Sequence, residues 1–195
     1  METRVEVDIS RALQIEGWTS EDELRWLAEQ ARLTGLNSTI VEIGTFLGRS
    51  ARALASNSDW VGTRIYCVDP YMRYGDPGVE QAVKTGLWDD TYQQARFNLD
   101  LGSSNRIVFL RELSTRAALR FDDCTIDMIF IDGDHSYSAV MADISAWERT
   151  IKPGGLICGH DYNVHPGVKQ AVDESFPFGG VEFPAGSIWM VRKPQ

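Results

Sequence analysis

The feature that most constrains this chain is a rhythm. Five short apolar runs recur along its 195 residues: Ile40–Ile43 (IVEI), Ile65–Val68 (IYCV), Ile107–Leu110 (IVFL), Met128–Ile131 (MIFI) and Leu156–Cys158 (LIC). Each is too short for a helix and lacks the alternation of a half-exposed strand, which fits a strand buried on both faces. Helix-like stretches fall between them. The first, 20–35, opens at Ser20 with Glu23 three residues on and closes at Gly35, the pattern of a capped helix. In "SYSAVMADISAWERTI" (136–151) Tyr137, Val140, Met141, Ile144, Trp147 and Ile151 share one face. Strand and helix alternating through short connections predict a mostly parallel sheet covered on both faces. The end, "VEFPAGSIWMVRK" (181–193), reads as two strands joined by "PAG". No repeat or linker divides the chain, so residues 1–195 read as one domain, with 1–36 as a helical extension.

Right-handed crossovers put the C-terminal ends of parallel strands on one edge, where such sheets bind ligands. The residues just after each strand therefore carry the functional reading. After the first strand, Gly44 and Gly48 flank a tight turn into a helix. Their spacing is G-x-x-x-G, not the dinucleotide fingerprint, and a plain strand–helix turn reads equally well. Asp69, in "CVDPY", can take both hydroxyls of a ribose or simply form an Asp-Pro turn. Ser114 and Thr115 can meet a base edge, although Ser114 reads first as an N-cap. The fourth run ends in Asp132, Gly133, Asp134 and His135, with Asp134 a candidate cap for the next helix. The fifth ends in "GHDY", His160 and Asp161. His165, before Pro-Gly, reads as a loop residue.

The formal net charge of −9 argues against attraction to nucleic acid or an anionic membrane surface. No apolar run approaches the roughly 20 residues of a membrane span. Cys67, Cys124 and Cys158 have no metal-ligand or redox spacing, and read as reduced, mostly buried thiols suited to the cytoplasm.

Taken together, "VEIGTFLGRS", the acidic end of "RIYCVD", "RIVFLRELS", "IDMIFIDGDH" and "KPGGLICGHDY" resemble the class I S-adenosylmethionine-dependent methyltransferases, from about Ile40 to Arg192. The resemblance implies a Rossmann-like doubly wound sheet of about seven strands, mostly parallel with an antiparallel last strand. Within the family the chain looks most similar to the small metal-dependent O-methyltransferases of the catechol, caffeoyl-coenzyme A and antibiotic-sugar types. Carried over by residue, this implies Glu42, Gly44, Thr45, Phe46, Gly48 and Ser50 around the cofactor's methionine part. It implies Asp69 at the ribose, Ser114 and Thr115 beside the adenine, and Asp132 at the cofactor and at a metal. The metal ligands would be Asp132, His160 and Asp161, and the base His135. The family branch usually has an acid where this chain has His160, so manganese, iron or zinc suits the set as well as magnesium.

Those expectations describe methyl transfer from S-adenosylmethionine to a hydroxyl of a small molecule, probed against two alternatives: a dinucleotide-dependent oxidoreductase and a non-catalytic cofactor-binding protein. The glycine spacing and the paired terminal strands count against the oxidoreductase. Residues 70–90, with Tyr71, Tyr74 and Trp88, read as a lid or interface insertion. Trp26 and Leu33 lie opposite the apolar stripe of the first long helix, a face expected to be covered by that lid or by the second subunit of a homodimer.

Overall fold

The computed structural model describes residues 7–56, 62–71, 91–100, 106–177 and 179–195. Helices α1 (Ser10–Leu13) and α2 (Glu21–Leu33) precede strand β1 (Thr39–Ile43) and helix α3 (Arg49–Leu54). Then follow β2 (Arg64–Val68), α4 (Thr91–Asn98), β3 (Ile107–Leu110), α5 (Ser114–Ala117) and β4 (Ile126–Ile131). Helix α6 (Tyr137–Trp147), β5 (Ile151–Gly159), α7 (Pro166–Ser175) and β6 (Trp189–Arg192) complete the order. No helix of the described residues is long and apolar enough to cross a membrane.

The strands form one sheet in the order β3-β2-β1-β4-β5-β6, parallel except for β6. The order reverses between β1 and β4, and the crevice of such a sheet opens there. The apolar runs are continuous because both faces are covered. Val41, Ile43, Ile129 and Ile131 pack on one side with Val140, Ile144 and Trp147 of α6 and Val168 and Val172 of α7. Ile40, Ile65, Met128 and Phe130 pack on the other with Leu27 of α2 and Leu54 of α3. The period of two along β1 and β4 decides which residue faces which layer. Burying each such side chain stabilises the fold by about 1.5–3 kcal/mol.

Helix α2 begins as its sequence predicts: Ser20 accepts from the Glu23 backbone while the Glu23 side chain accepts from the Ser20 backbone. A cap of this kind is worth about 1 kcal/mol. Three local expectations are corrected. Leu113, not Ser114, is the N-cap of α5, because the Ser114 hydroxyl accepts from Trp147 Nε1 at 2.8 Å. Ser136, not Asp134, caps α6, while Asp134 accepts from the Ser136 N–H. Cys67 and Cys158 are buried, but Cys124 is exposed.

The described sheet has six strands rather than seven. Of the expected terminal pair only β6 joins it, and Glu182 makes one isolated antiparallel bridge to Met190. The cause is local. Pro184 has no N–H for a ladder, and Gly186 turns the chain at φ 49°. Trp26 is half-buried against its own core, so it needs no second subunit to cover it, whereas Leu33 is exposed. Most of the 70–90 segment lies outside the described residues.

Candidate active site

The backbone ladder itself assembles the site. Gly44 N–H donates to Val68, Asp132 N–H to Ile43 and His160 N–H to Ile131, so the first residues beyond β1, β4 and β5 stand in a row. Gly44 has φ 85°, and a Cβ there would lie 2.0 Å from the Asp132 carbonyl oxygen. Glycine is thus required twice, for its backbone conformation and for the approach of the β4 tip. Asp161, next in line, is not glycine but has φ 64°. Holding a non-glycine residue there costs on the order of 1–2 kcal/mol. Bonds from Asp161 N–H to the Ser187 hydroxyl and from Tyr162 N–H to the Ser187 carbonyl hold the turn.

Four expected residues converge at these tips. His160 Nδ1 lies 3.6 Å from Asp132 Oδ1 and 3.2 Å from Asp161 Oδ1. The second oxygen, Asp161 Oδ2, lies 3.0 Å from His135 Nε2. The far side of His160 faces Glu23, whose Oε1 is 3.2 Å from Nε2. Burial pushes the Asp132 carboxyl up to about 6, with His160 drawing it back. Burial alone would lower His160, but hydrogen bonds to Asp161 and Glu23 and the charge of Asp132 push it up to about 10. Burial likewise opposes ionisation of Asp161, yet hydrogen bonds from His135 and His160 hold it well below the carboxylate range.

Donors bound side by side to a small divalent cation at about 2.1 Å stand about 3 Å apart. Asp132, His160 and Asp161 already have close to that spacing and a mixed oxygen–nitrogen character that suits manganese, iron or zinc. His135, Asp161 and His165 also gather closely, but the two imidazoles stack at 4.2 Å and 10° from parallel. An ion sits near the plane of each ring that ligates it, and two stacked rings offer no such shared point. The first cluster is the better cation cradle.

Beside the cluster runs a cleft of about 1080 Å³, ample for a nucleoside-sized ligand and an acceptor. Gly44, Thr45, Phe46, Ser50, Asp69, Ser114, Thr115, Asp132, His135, His160 and Asp161 all line it. Glu42 and Gly48 do not. Gly48 is the left-handed N-cap of α3, its N–H donating to Thr45. Glu42 is fully buried beneath the glycine turn, and burial pushes its carboxyl up to about 8 against the pull of the Ser50 and Thr45 hydroxyls. Neither of its oxygens has a partner at full hydrogen-bond geometry. The carboxyl lies behind the cleft wall rather than on it, so a cationic ligand group in the cleft would act on it across the glycine turn. Asp69 accepts the Phe46 N–H at 2.9 Å and the Tyr71 N–H at 2.7 Å. It therefore braces the glycine turn in addition to facing the cleft.

Several lining residues escaped the sequence reading. Glu23 belongs to the cap of α2 yet reaches across to His160 and Ser187. Asp143 of α6 is buried at the Ser114 end. Trp18 stacks on Phe46 at 5.2 Å, and Arg49 ties the segment before α2 to α3 through the carbonyls of Thr19 and Ile15. Only the exposed aromatic in "GWTS" offered a hint; the rest depend on contacts between distant parts of the chain.

Residues 41–162 match the family described as "Methyltransferase domain". Cofactor-bound Rv0187 from MTB shares the fold at TM-score 0.65 and 16% identity, over 96% of this chain and 87% of that one. The O-methyltransferase NovP matches at TM-score 0.62 and 16% identity, over 88% and 78%. A precorrin 8w decarboxylase from Methanobacterium thermoautotrophicum matches at TM-score 0.60 and 18% identity, over 87% and 77%. At such identities the likeness is one of fold, and the fold alone serves more than one chemistry. The family match spans the glycine turn through the GHDY tip, and with it the chain belongs to the class I S-adenosylmethionine-dependent methyltransferases.

Proposed function

We propose that the protein transfers a methyl group from S-adenosylmethionine to a hydroxyl of a small molecule, with a divalent cation held by Asp132, His160 and Asp161. The observation that carries this reading is the division of Asp161: Oδ1 faces His160 and Oδ2 faces His135, so cation cradle and base share one carboxylate. NovP, an O-methyltransferase of the same fold, supports it by analogy.

S-adenosylmethionine, when bound, supplies a sulfonium methyl open to in-line displacement. A cation, when bound, lowers the pKa of a hydroxyl it touches and fixes its direction. The chain's own groups do the remainder. The turn Gly44–Phe46 lets the methionine part approach the backbone, Ser50 faces it from the cleft wall, and the Glu42 carboxyl lies behind the turn. Asp69 keeps lone pairs for ribose hydroxyls beyond the two backbone bonds it accepts. Ser114 and Thr115 flank the adenine, in a cleft that Leu113 and Asp143 also line. Asp161 accepts from His135 Nε2–H, which orients the imidazole that takes the acceptor's proton. Placing the acceptor oxygen about 3 Å from the methyl supplies much of the rate.

The net charge of −9 and the reduced, unpaired Cys67 and Cys158 favour a small-molecule acceptor and a cytoplasmic setting. Exposed Leu33 and Leu36 favour a homodimer over a monomer. The test is methyl transfer from labelled cofactor to a panel of phenols, sugars and polyketide alcohols, with and without chelator. Turnover abolished by chelation and restored by manganese supports the reading; full turnover under chelation contradicts the cation's part.

A further inference from the structure

Glu23 stands out among the groups that the proposed reaction leaves unused. It sits in the first turn of α2, yet its side chain is almost wholly buried and reaches the tip of β5. Oε2 accepts from Ser20, at 2.7 Å from both its backbone nitrogen and its hydroxyl. Oε1 accepts the Ser187 N–H at 2.8 Å and its hydroxyl at 3.2 Å, and faces His160 Nε2 at 3.2 Å. Ser187 Oγ also stands 3.0 Å from His160 Nε2. The loop comes this close because residue 186 is glycine: a Cβ there would lie 2.2 Å from Glu23 Oε1.

We infer that Glu23 is a positioning residue, which fixes His160 in the tautomer that carries its proton on Nε2 and turns Nδ1 toward Asp132 and Asp161. The inference rests on the cation reading above and deepens it. An imidazole ligates through one nitrogen, and the hydrogen bond made by the other decides which. Here Nε2 meets two acceptors, Glu23 Oε1 and Ser187 Oγ, whereas Nδ1 meets the two carboxylates of the cradle. The segment before β1 is then part of the metal site, and α2 is coupled to it through a single carboxylate. The same geometry suits a histidine at position 160: its Nε2–H donates to Glu23, whereas an acid there would bring a second carboxylate toward Glu23 with no donor between them. Glu23 and His160 are thus a matched pair.

The test is manganese and zinc affinity of the full chain by calorimetry, without cofactor or acceptor, for wild type, Glu23→Gln, His160→Asp and the double variant. Glu23→Gln is expected to weaken binding about 10- to 100-fold in the His160 background. In the His160→Asp background, where no imidazole is left to orient, the same change is expected to alter binding by no more than a few-fold. A purely structural role for Glu23 would weaken both. Unchanged affinity in folded Glu23→Gln overturns the inference alone. A wild type that binds neither ion overturns the cation reading and this inference with it. Long-range nitrogen NMR of the zinc-loaded wild type gives an independent readout that needs no variant to fold. A proton on His160 Nε2 supports the assignment, and a proton on Nδ1 overturns it.

Discussion

The two halves of the cleft treat buried charge in opposite ways. At the tips of β4 and β5 every ionised group has a partner: His160 lies among Asp132, Asp161 and Glu23, and His135 leans on Asp161. At the tip of β1, Glu42 is buried with no partner at full hydrogen-bond geometry, and its carboxyl is pushed up to about 8. The first region is pre-organised before any ligand arrives, as an electrostatic site must be to act without rearrangement. The second region is incomplete, and a cationic ligand group would stabilise it.

The sharpest way to break this contrast is to separate the halves. Gly44→Ala drives a Cβ into the Asp132 backbone and strains φ 85°, so both halves fail together. A loss of about 3 kcal/mol or more in stability is expected, measured by denaturant unfolding, along with loss of S-adenosylhomocysteine binding. Wild-type stability in that variant would show that the β1 and β4 tips are not in contact. Next in size is His135→Ala, expected to lower kcat by about 10²- to 10⁴-fold with cofactor affinity nearly unchanged. A comparable loss of cofactor binding would remove His135 from the proton-transfer role. Asp161→Asn should abolish manganese binding in calorimetry yet leave the cofactor's affinity within a few-fold, because it touches the pre-organised half alone.

The smaller effect tests the incomplete half. The folded Glu42 carboxyl titrates at about 8, above its ordinary 4.5, so between these values the folded chain holds a proton that the unfolded chain has lost. Its contribution to stability therefore falls as pH rises through that window. Glu42→Gln removes this slope. The variant is expected to melt higher than wild type above pH 8 without cofactor, and to bind S-adenosylhomocysteine more weakly there, where the wild-type carboxyl is ionised. Equal melting temperatures at pH 6 and 9 in both proteins would show that Glu42 is not buried uncompensated.

How much of this was legible in sequence follows from the same contrast. The strands were readable because burial on both faces leaves an unbroken apolar run, as in MIFI and IVFL. Asp132, His160 and Asp161 were readable because they follow such runs, and the parallel ladder then sets them in a row. Glu23 was readable only as a cap: its bond to Ser187 joins residues 164 apart, and no local pattern encodes it. The seventh strand misled for a related reason. "VEF" has strand composition, but Pro184 and the pull of Ser187 onto Glu23 shape that stretch as a loop. Ser114 misled because the Trp147 indole, 33 residues away, claims its hydroxyl.

The central claim is that the tips of β4 and β5 hold a cation beside the cofactor's sulfur. The most direct measurement is anomalous diffraction from crystals grown with S-adenosylhomocysteine and manganese. The account predicts one manganese peak ligated by Asp132, His160 Nδ1 and Asp161, in the same cleft as the sulfur and within reach of His135. Cofactor seated over Gly44 with no manganese at those three residues, or manganese bound elsewhere, would contradict it.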